Sequence, residues 1–213
     1  MRIKDFMTQP VVTVDVRTPI MEALELMKQN KVKRLPVMKK GRLAGLVTRD
    51  MIRDASPSEA SSLSMHELNY ILFKMTVGYL MVKGPITVSP DMPVEEAIWL
   101  GMQHGVGAFP VVENDRLVGI VTESDITGVI VQALGVGESD SRRITIDAGG
   151  RRFGYIRELV DVLDAHRVPI LSLMGVPKKG RKEWHLILRV QARDAAAVVE
   201  GIKQKGFKVT DLT

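Results

Sequence analysis

The chain reads Pro36-Val37-Met38-Lys39-Lys40-Gly41-Arg42-Leu43-Ala44-Gly45-Leu46-Val47-Thr48, and 74 residues later Pro110-Val111-Val112-Glu113-Asn114-Asp115-Arg116-Leu117-Val118-Gly119-Ile120-Val121-Thr122. Extending the same shift back to Met7 gives 16 identities in 42 positions, where average composition would give roughly two or three. Thr13-Val14 returns as Thr87-Val88, Pro19 as Pro93, and Glu22-Ala23 as Glu96-Ala97. Ordered coincidences at one fixed period mark a duplicated folding unit.

Each copy alternates in the same way. A short β segment around Val11 to Val14 precedes Pro19, a favourable first helical residue because its missing N–H is no loss there. Ile20, Ala23, Leu24 and Met27 recur at helical spacing, as do Val94, Ala97, Ile98 and Gly101. Arg34 to Met38 and Leu43 to Val47 read as strands joined by Lys-Lys-Gly; Ala108 to Val112 and Leu117 to Val121 read as strands joined at Asn114-Asp115. A helix follows Thr48 and Thr122. The unit is β-α-β-β-α, and at about 50 residues it buries too little surface alone, so the two copies are expected to pack together. The expected boundaries are 1–56 for the first repeat, 57–76 for a connecting loop and helix, 77–134 for the second repeat, 135–141 for a linker and 142–213 for a separate domain. The connector is a Ser/Pro loop from Ser56 to Ser64, then a helical stretch carrying Leu68, Ile71, Leu72 and Met75.

The last third reads strand (Arg143 to Ile146), helix (Ile156 to His166), strand (Ile170 to Met174), basic turn, strand (Trp184 to Val190), helix (Asp194 to Lys205) and strand (Phe207 to Leu212). Spacing at Ile156, Leu159, Val160 and Leu163, and at Ala196, Val199 and Ile202, predicts one buried face per helix, turned to a sheet. From Ser141 onward fifteen Lys/Arg stand against eight Asp/Glu, and before it fifteen against seventeen. The +5 net charge is thus a property of the last third, as for a separate unit.

Composition narrows the function classes. With 213 residues, 45% of them hydrophobic, the chain is globular, and with 5% aromatics its cores are aliphatic. No cysteine is present, which removes disulfides, thiolate metal sites and a cysteine nucleophile and fits a reducing compartment. The first ten residues lack the apolar stretch of a signal peptide, and the greasiest segment, Ile126 to Val136, is too short to span a bilayer. A cytoplasmic protein with no membrane partner is expected. His66, His104, His166 and His185 lack metal-ligand spacing. No nucleophile elbow or phosphate-binding Gly-rich loop appears, so no catalytic residue and no enzyme activity is expected.

The string Leu-x-Gly-(Leu/Ile)-Val-Thr, preceded by Pro-Val and opened by a Met-Thr-x-Pro type of start, resembles the CBS domain. Two copies resemble a Bateman module over roughly Met1 to Leu134. The resemblance implies an α+β fold in which paired repeats hold adenosine-containing ligands in two clefts and relay their occupancy. The residues give this a physical basis. Thr122-Glu123-Ser124-Asp125 stands where a strand ends and a helix begins, and the free N–H groups and dipole there favour a phosphate. In the family the Thr, and the Asp three residues later, hold the ribose hydroxyls. The backbone at Gly107, Ala108, Phe109 and Pro110 is expected to face the adenine edge, because a strand end beside Pro leaves backbone groups unpaired. Thr87 and Val88 would line the opposite wall. Thr-x-x-Asp at a helix start also reads as a capping box that binds nothing.

The first copy departs from this pattern. Thr48-Arg49-Asp50-Met51 brings the carboxylate one residue early, a rotation of about 100° on a helix, and leaves Met51 at the ribose position. Asp50 is not expected to copy Asp125. Arg49, with Lys33 and Arg34 on the facing strand, reads either as phosphate-contacting cations or as solvated surface. A second, altered nucleotide site would comprise Thr13, Lys33, Arg34, Leu35, Pro36, Thr48, Arg49 and Asp50, with the Thr122/Asp125 cleft the better ribose site.

The βαββαβ order after residue 142 resembles a ferredoxin-like ACT domain. Gly154 matches the glycine such domains place before their first helix. Phe153 replaces the usual proline, and Pro169-Ile170 stands where an Asn often opens the second strand. A regulatory or dimer-forming sheet is therefore preferred over amino-acid binding. A CBS pair followed directly by an ACT-like domain is similar to CBS–ACT proteins of the acetoin-utilisation type, although acetoin is not taken as a ligand. The implied ligand is an adenine nucleotide such as AMP, ADP or ATP, with no required cofactor and no metal. The implied partners are a second copy, since CBS pairs form flat discs and ACT sheets pair edge to edge, and an unidentified regulated protein. An adaptor with vestigial clefts is the rival reading. Lys178-Lys179-Gly180-Arg181-Lys182, with Arg142, Arg143, Arg151 and Arg152, raises nucleic-acid binding as a weaker one. The stretch lies in a hairpin turn without interleaved aromatics, which argues against it.

Overall fold

Both hairpins of the repeated string form. The computed structural model describes residues 1–55, 75–147, 154–178 and 183–213. The Ser56 to Ser64 loop, His66, Leu68, Ile71, Leu72, Arg151, Arg152, Phe153 and Lys179 to Lys182 lie outside the described residues. The chain divides into two units, Met1–Ile126 and Thr127–Thr213.

In the first unit, the first copy gives β1 (Val14–Asp15), α1 (Ile20–Gln29), β2 (Arg34–Lys39), β3 (Arg42–Thr48) and α2 (Arg49–Ala55). The second gives α3 (Val77–Leu80), β4 (Val82–Lys83), α4 (Val94–His104), β5 (Ala108–Glu113), β6 (Arg116–Thr122) and α5 (Glu123–Ala133), whose last turns belong to the second unit. The hairpin tips are two-residue turns with both residues left-handed: Lys40 (φ 50) and Gly41 (φ 76), and Asn114 (φ 49) and Asp115 (φ 60). Such turns match the right-handed twist of the strands they join. Ile20, Ala23 and Met27 of α1 are buried on Leu35, Val37 and Val47 of the hairpin, as the helical spacing predicts.

Contact between the copies is reciprocal. β4 belongs to the second copy by sequence, yet it completes the first copy's sheet, in the order β1-β2-β3-β4, through Gly45↔Lys83 and Leu46↔Val82. Thr8 stands 74 residues before Val82 and bridges Ile120 of the second copy. The Ile3 N–H donates to the Met92 carbonyl (3.0 Å), and the Val77 N–H donates to the Thr18 carbonyl (2.9 Å). Ile3 and Val77 are both fully buried. Each copy therefore lends its opening residues to the other.

The two repeated glycines permit this exchange. A β-carbon at Gly45 would collide with the Met81 side chain and stand 2.8 Å from the Val82 carbonyl oxygen. At Gly119 it would collide with the Met7 side chain only. A flexible thioether can yield where backbone cannot. Gly45→Ala is therefore expected to lower unfolding free energy by about 2 kcal/mol and Gly119→Ala by about 1 kcal/mol. In denaturant titrations, Met7→Ala should relieve part of the Gly119→Ala penalty and leave that of Gly45→Ala unchanged.

An ion cluster fixes the lent N-terminus. Lys4 Nζ lies 2.8 Å and Arg2 Nη1 3.1 Å from Asp91 Oδ1. The Lys4 hydrogen bond first, then its charge and the Arg2 hydrogen bond, hold the Asp91 carboxyl below its ordinary pKa. The folded value lies under the unfolded one, so the contribution is complete above the ordinary aspartate value of about 3.9 and fades as pH falls through the lowered one. Asp91→Asn is expected to speed hydrogen exchange at the Ile3 and Lys4 amides at neutral pH, the difference from wild type vanishing in acid.

The second unit carries β7 (Ser141–Asp147), α6 (Tyr155–Ala165), β8 (Ile170–Pro177), β9 (Trp184–Gln191), α7 (Ala196–Gln204) and β10 (Lys208–Leu212). This is the expected βαββαβ order, in one antiparallel sheet ordered β10-β7-β9-β8, the split βαβ arrangement. Its core joins Ile144, Ile146, Leu186, Leu188 and Val190 of the sheet to Leu159, Val162 and Leu163 of α6 and Val198, Val199 and Ile202 of α7.

Three expectations need correction here. Ile156 is 47% exposed and Val160 only half-buried, whereas Val162 is buried. Tyr155, directly after Gly154, packs on the core and rotates the stripe to 155, 159, 162 and 163. In α7 the buried stripe is Val198, Val199 and Ile202, continued by Ala195 directly before the helix, with Ala196 exposed. Lys178, read as part of an exposed basic turn, is instead neutralised: its Nζ lies 2.8 Å from the carboxylates of Asp147 and Glu183. Those two hydrogen bonds, Asp147's first, raise its pKa.

Candidate functional site

Thr122 ends β6 opposite Ala108 and stands directly before α5. Its backbone N–H donates to Asp125 Oδ2 (2.8 Å), its hydroxyl donates to the same oxygen (2.7 Å), and the Asp125 N–H points back at Thr122 Oγ1 (3.4 Å). This is capping-box geometry. It also holds a hydroxyl and a carboxylate side by side, half-buried, at the mouth of a helix. Ser124 beside them is exposed.

The strand opposite is more fully engaged than its proline suggests. The Gly107 carbonyl accepts from the Glu123 N–H (3.0 Å) and the Pro110 carbonyl from the Val88 N–H (3.2 Å). Neither carbonyl is the unpaired acceptor the sequence reading expects. Ala108, Phe109 and Pro110 are buried, and Val88, 3% exposed, bridges Val111 in parallel. Thr87 is exposed.

The first copy is built differently. The Thr48 hydroxyl accepts from the Met51 N–H (3.1 Å), so the cap survives without a carboxylate. Asp50 turns to Arg53, 3.3 Å away on the surface of α2. Leu35 and Pro36 are buried and Thr13 is exposed. Lys33 and Arg49 instead border an open cleft of about 530 Å³, with Lys28 and Lys31, over Met21, Leu24, Met27 and Val32.

Arg34 is the residue whose placement the sequence reading missed. Grouped by sequence with the first copy's cleft, it reaches across the repeat boundary. A β-carbon on Gly107 would lie 3.4 Å from Arg34 Nη2 and 3.3 Å from Glu123 Oε2. The only signal in the sequence was that Gly107 takes the place of Lys33 at the 74-residue shift, leaving room for a side chain from elsewhere. Among the described residues, no group of three or more His, Cys, Asp or Glu is placed to hold a metal ion, and no helix is long and apolar enough to cross a membrane.

Comparison with known proteins defines the class. The CBS domain model matches residues 3–58 and 77–132, and the chain belongs to the CBS domain family. It is 32% identical over 126 residues to the CBS domain-containing protein YhcV of Bacillus subtilis, covering 58% of this chain and 81% of that one. It spans less of other relatives: 45% of an uncharacterized 33.4 kDa protein of Thermofilum pendens, at 26% identity, and 23% of an inosine-5'-monophosphate dehydrogenase of Korarchaeum cryptofilum, at 32% identity. Among solved structures, it is similar to the CBS-pair protein CBSX2 of Arabidopsis thaliana in complex with AMP (TM-score 0.51, 28% identity, 62% of this chain and 97% of that one). It is also similar to the CBS domain pair of MJ0100 in complex with 5'-methylthioadenosine and S-adenosyl-L-methionine (0.52, 27%, 62% and 97%). A putative acetoin utilization protein (AcuB) of Vibrio cholerae matches at 0.53 and 25%, over 65% of this chain and 96% of that one.

The capping bonds carry a stability consequence independent of any ligand. Asp125→Ala is expected to cost about 1 kcal/mol in chemical unfolding, the usual worth of a helix cap. Asp50→Ala removes only an exposed i,i+3 pair and should stay within about 0.5 kcal/mol of wild type.

Proposed function

We propose that the chain is a non-catalytic regulatory protein that binds an adenine nucleotide in the cleft built on Thr122 and Asp125. The observation that carries this is the hydroxyl–carboxylate pair at the α5 mouth, with Arg34 brought beside Gly107 from the other copy. Ribose hydroxyls can donate to Asp125, whose carboxylate keeps acceptor capacity beyond its bonds to Thr122. The Arg34 guanidinium, a forked donor suited to phosphate, is the natural partner for the nucleotide's anionic end. Thr87, Val88, Gly107, Ala108, Phe109, Pro110 and Ser124 complete the proposed walls. AMP, 5'-methylthioadenosine and S-adenosyl-L-methionine in similar CBS pairs support the ligand class.

The second site, at Thr13, Lys33, Leu35, Pro36, Thr48, Arg49 and Asp50, is weaker in this reading because no carboxylate stands beside Thr48. Binding one arrangement of the repeats better than another would shift their equilibrium. The C-terminal βαββαβ unit, read as an ACT-like regulatory sheet, or a partner protein would receive that change. The chain acts as a homodimer in the cytoplasm. A scaffold with vestigial clefts is the competing reading.

Isothermal titration with AMP, ADP, ATP and S-adenosylmethionine tests the proposal. One strong site is expected, with Asp125→Ala weakening affinity by about tenfold or more, the worth of a hydrogen bond to a charged group. Arg34→Met should weaken the phosphorylated ligands selectively, and Asp50→Ala should leave affinity unchanged. Equal losses at Asp50 and Asp125 would defeat the asymmetry, and no heat with any adenine ligand would leave the scaffold reading.

A further inference from the structure

Gly107 stands between opposite charges supplied by the two copies. Arg34 Nη2 lies 3.4 Å, and Glu123 Oε2 3.3 Å, from the point its missing β-carbon would occupy. Among the described residues, Arg34 is the one cation within 4 Å of that point. The root of the Glu123 side chain is fixed beside the gap, because its N–H donates to the Gly107 carbonyl (3.0 Å). The carboxylate itself is exposed, whereas Arg34 is half-buried.

The first copy closes the equivalent joint with the same bond and the opposite charge. Its Arg49 N–H donates to the Lys33 carbonyl (2.9 Å). At the 74-residue shift Lys33, Arg34 and Arg49 answer to Gly107, Ala108 and Glu123. The joint therefore does not need an acid, since an arginine makes the same backbone bond. What the acid changes is the field around Gly107. A phosphate chain growing from a nucleoside on Thr122 and Asp125 meets the Arg34 guanidinium once. Each further phosphate adds negative charge beside the Glu123 carboxylate, and like charges at that range repel even through solvent.

We propose that Glu123 is a specificity-determining residue that caps the negative charge of the ligand's 5' end, so that the cleft selects the adenosine monophosphate over the di- and triphosphate. The inference rests on the nucleotide reading above and adds which member of that class is preferred. Arg34 attracts the first phosphate, and Glu123 penalises the rest. Selection thus comes from a repulsive element set against the wrong ligand.

Isothermal titration of the full chain with adenosine, AMP, ADP and ATP, in the absence of divalent cations, tests this. Wild type should bind AMP most tightly of the three nucleotides and ATP least. Glu123→Gln keeps the shape of the side chain and should tighten ATP by roughly fivefold, ADP by less, and leave adenosine within about twofold. Gly107→Lys/Glu123→Arg, which writes the first copy's residues into the second, should reverse the order of AMP and ATP. Added salt should narrow the wild-type gap between them, because it screens the repulsion. ATP bound by wild type as tightly as AMP would overturn the proposal. So would a Glu123→Gln change equal in size for adenosine and ATP, which would mark a structural role for the side chain. Absence of heat with all four ligands, adenosine included, would instead remove the cleft reading itself and this inference with it.

Discussion

Neither copy of the repeat can finish its own sheet or its own core. Ile3 and Val77 are buried against the opposite copy, and Thr8 and Val82 each pair alongside the second strand of the other copy's hairpin. Everything else in the first unit follows from this exchange. It requires a glycine at the middle of each hairpin's second strand, Gly45 and Gly119, so that Met81 and Met7 can lie directly over the chain. It holds the two helix mouths in one unit, and it lets Arg34 of one copy stand beside Gly107 of the other.

The period of 74 residues made most of this unit legible. Hairpins, turn residues and the inner faces of α1 and α4 all follow from local patterns that repeat, and two independent instances of one pattern discipline each other. The exchange itself was not legible, because similarity between the copies locates equivalent residues without saying which copy they touch. Arg34 shows the same limit: a residue grouped by sequence with one copy can stand beside a residue of the other, Gly107.

The second unit shows the limit of periodicity from another side. Leu159 and Leu163, or Val199 and Ile202, define a stripe only to within one position, about 100° around the axis. Tyr155 and Ala195 settled the choice by packing inward, something a count of aliphatic residues does not weigh. Charge was likewise misjudged at Lys178, whose neutralising partners, Asp147 on β7 and Glu183 five residues on, meet it only in the fold. At the candidate site, the cap and the proposed ribose cradle use the same atoms of Thr122 and Asp125. A bound nucleotide would therefore share the carboxylate with the cap.

The lent N-termini have a consequence for ancestry. A half-length chain of this design would hold an unmatched opening segment and an unmatched sheet edge, and another such chain would satisfy both by swapping. Joining two halves in one polypeptide turns that encounter into an internal one, at an effective concentration on the order of millimolar. Once tethered, the halves no longer had to be identical. In this chain they differ: the first has Met51 where the second has Asp125, and only the second carries the Thr–Asp pair.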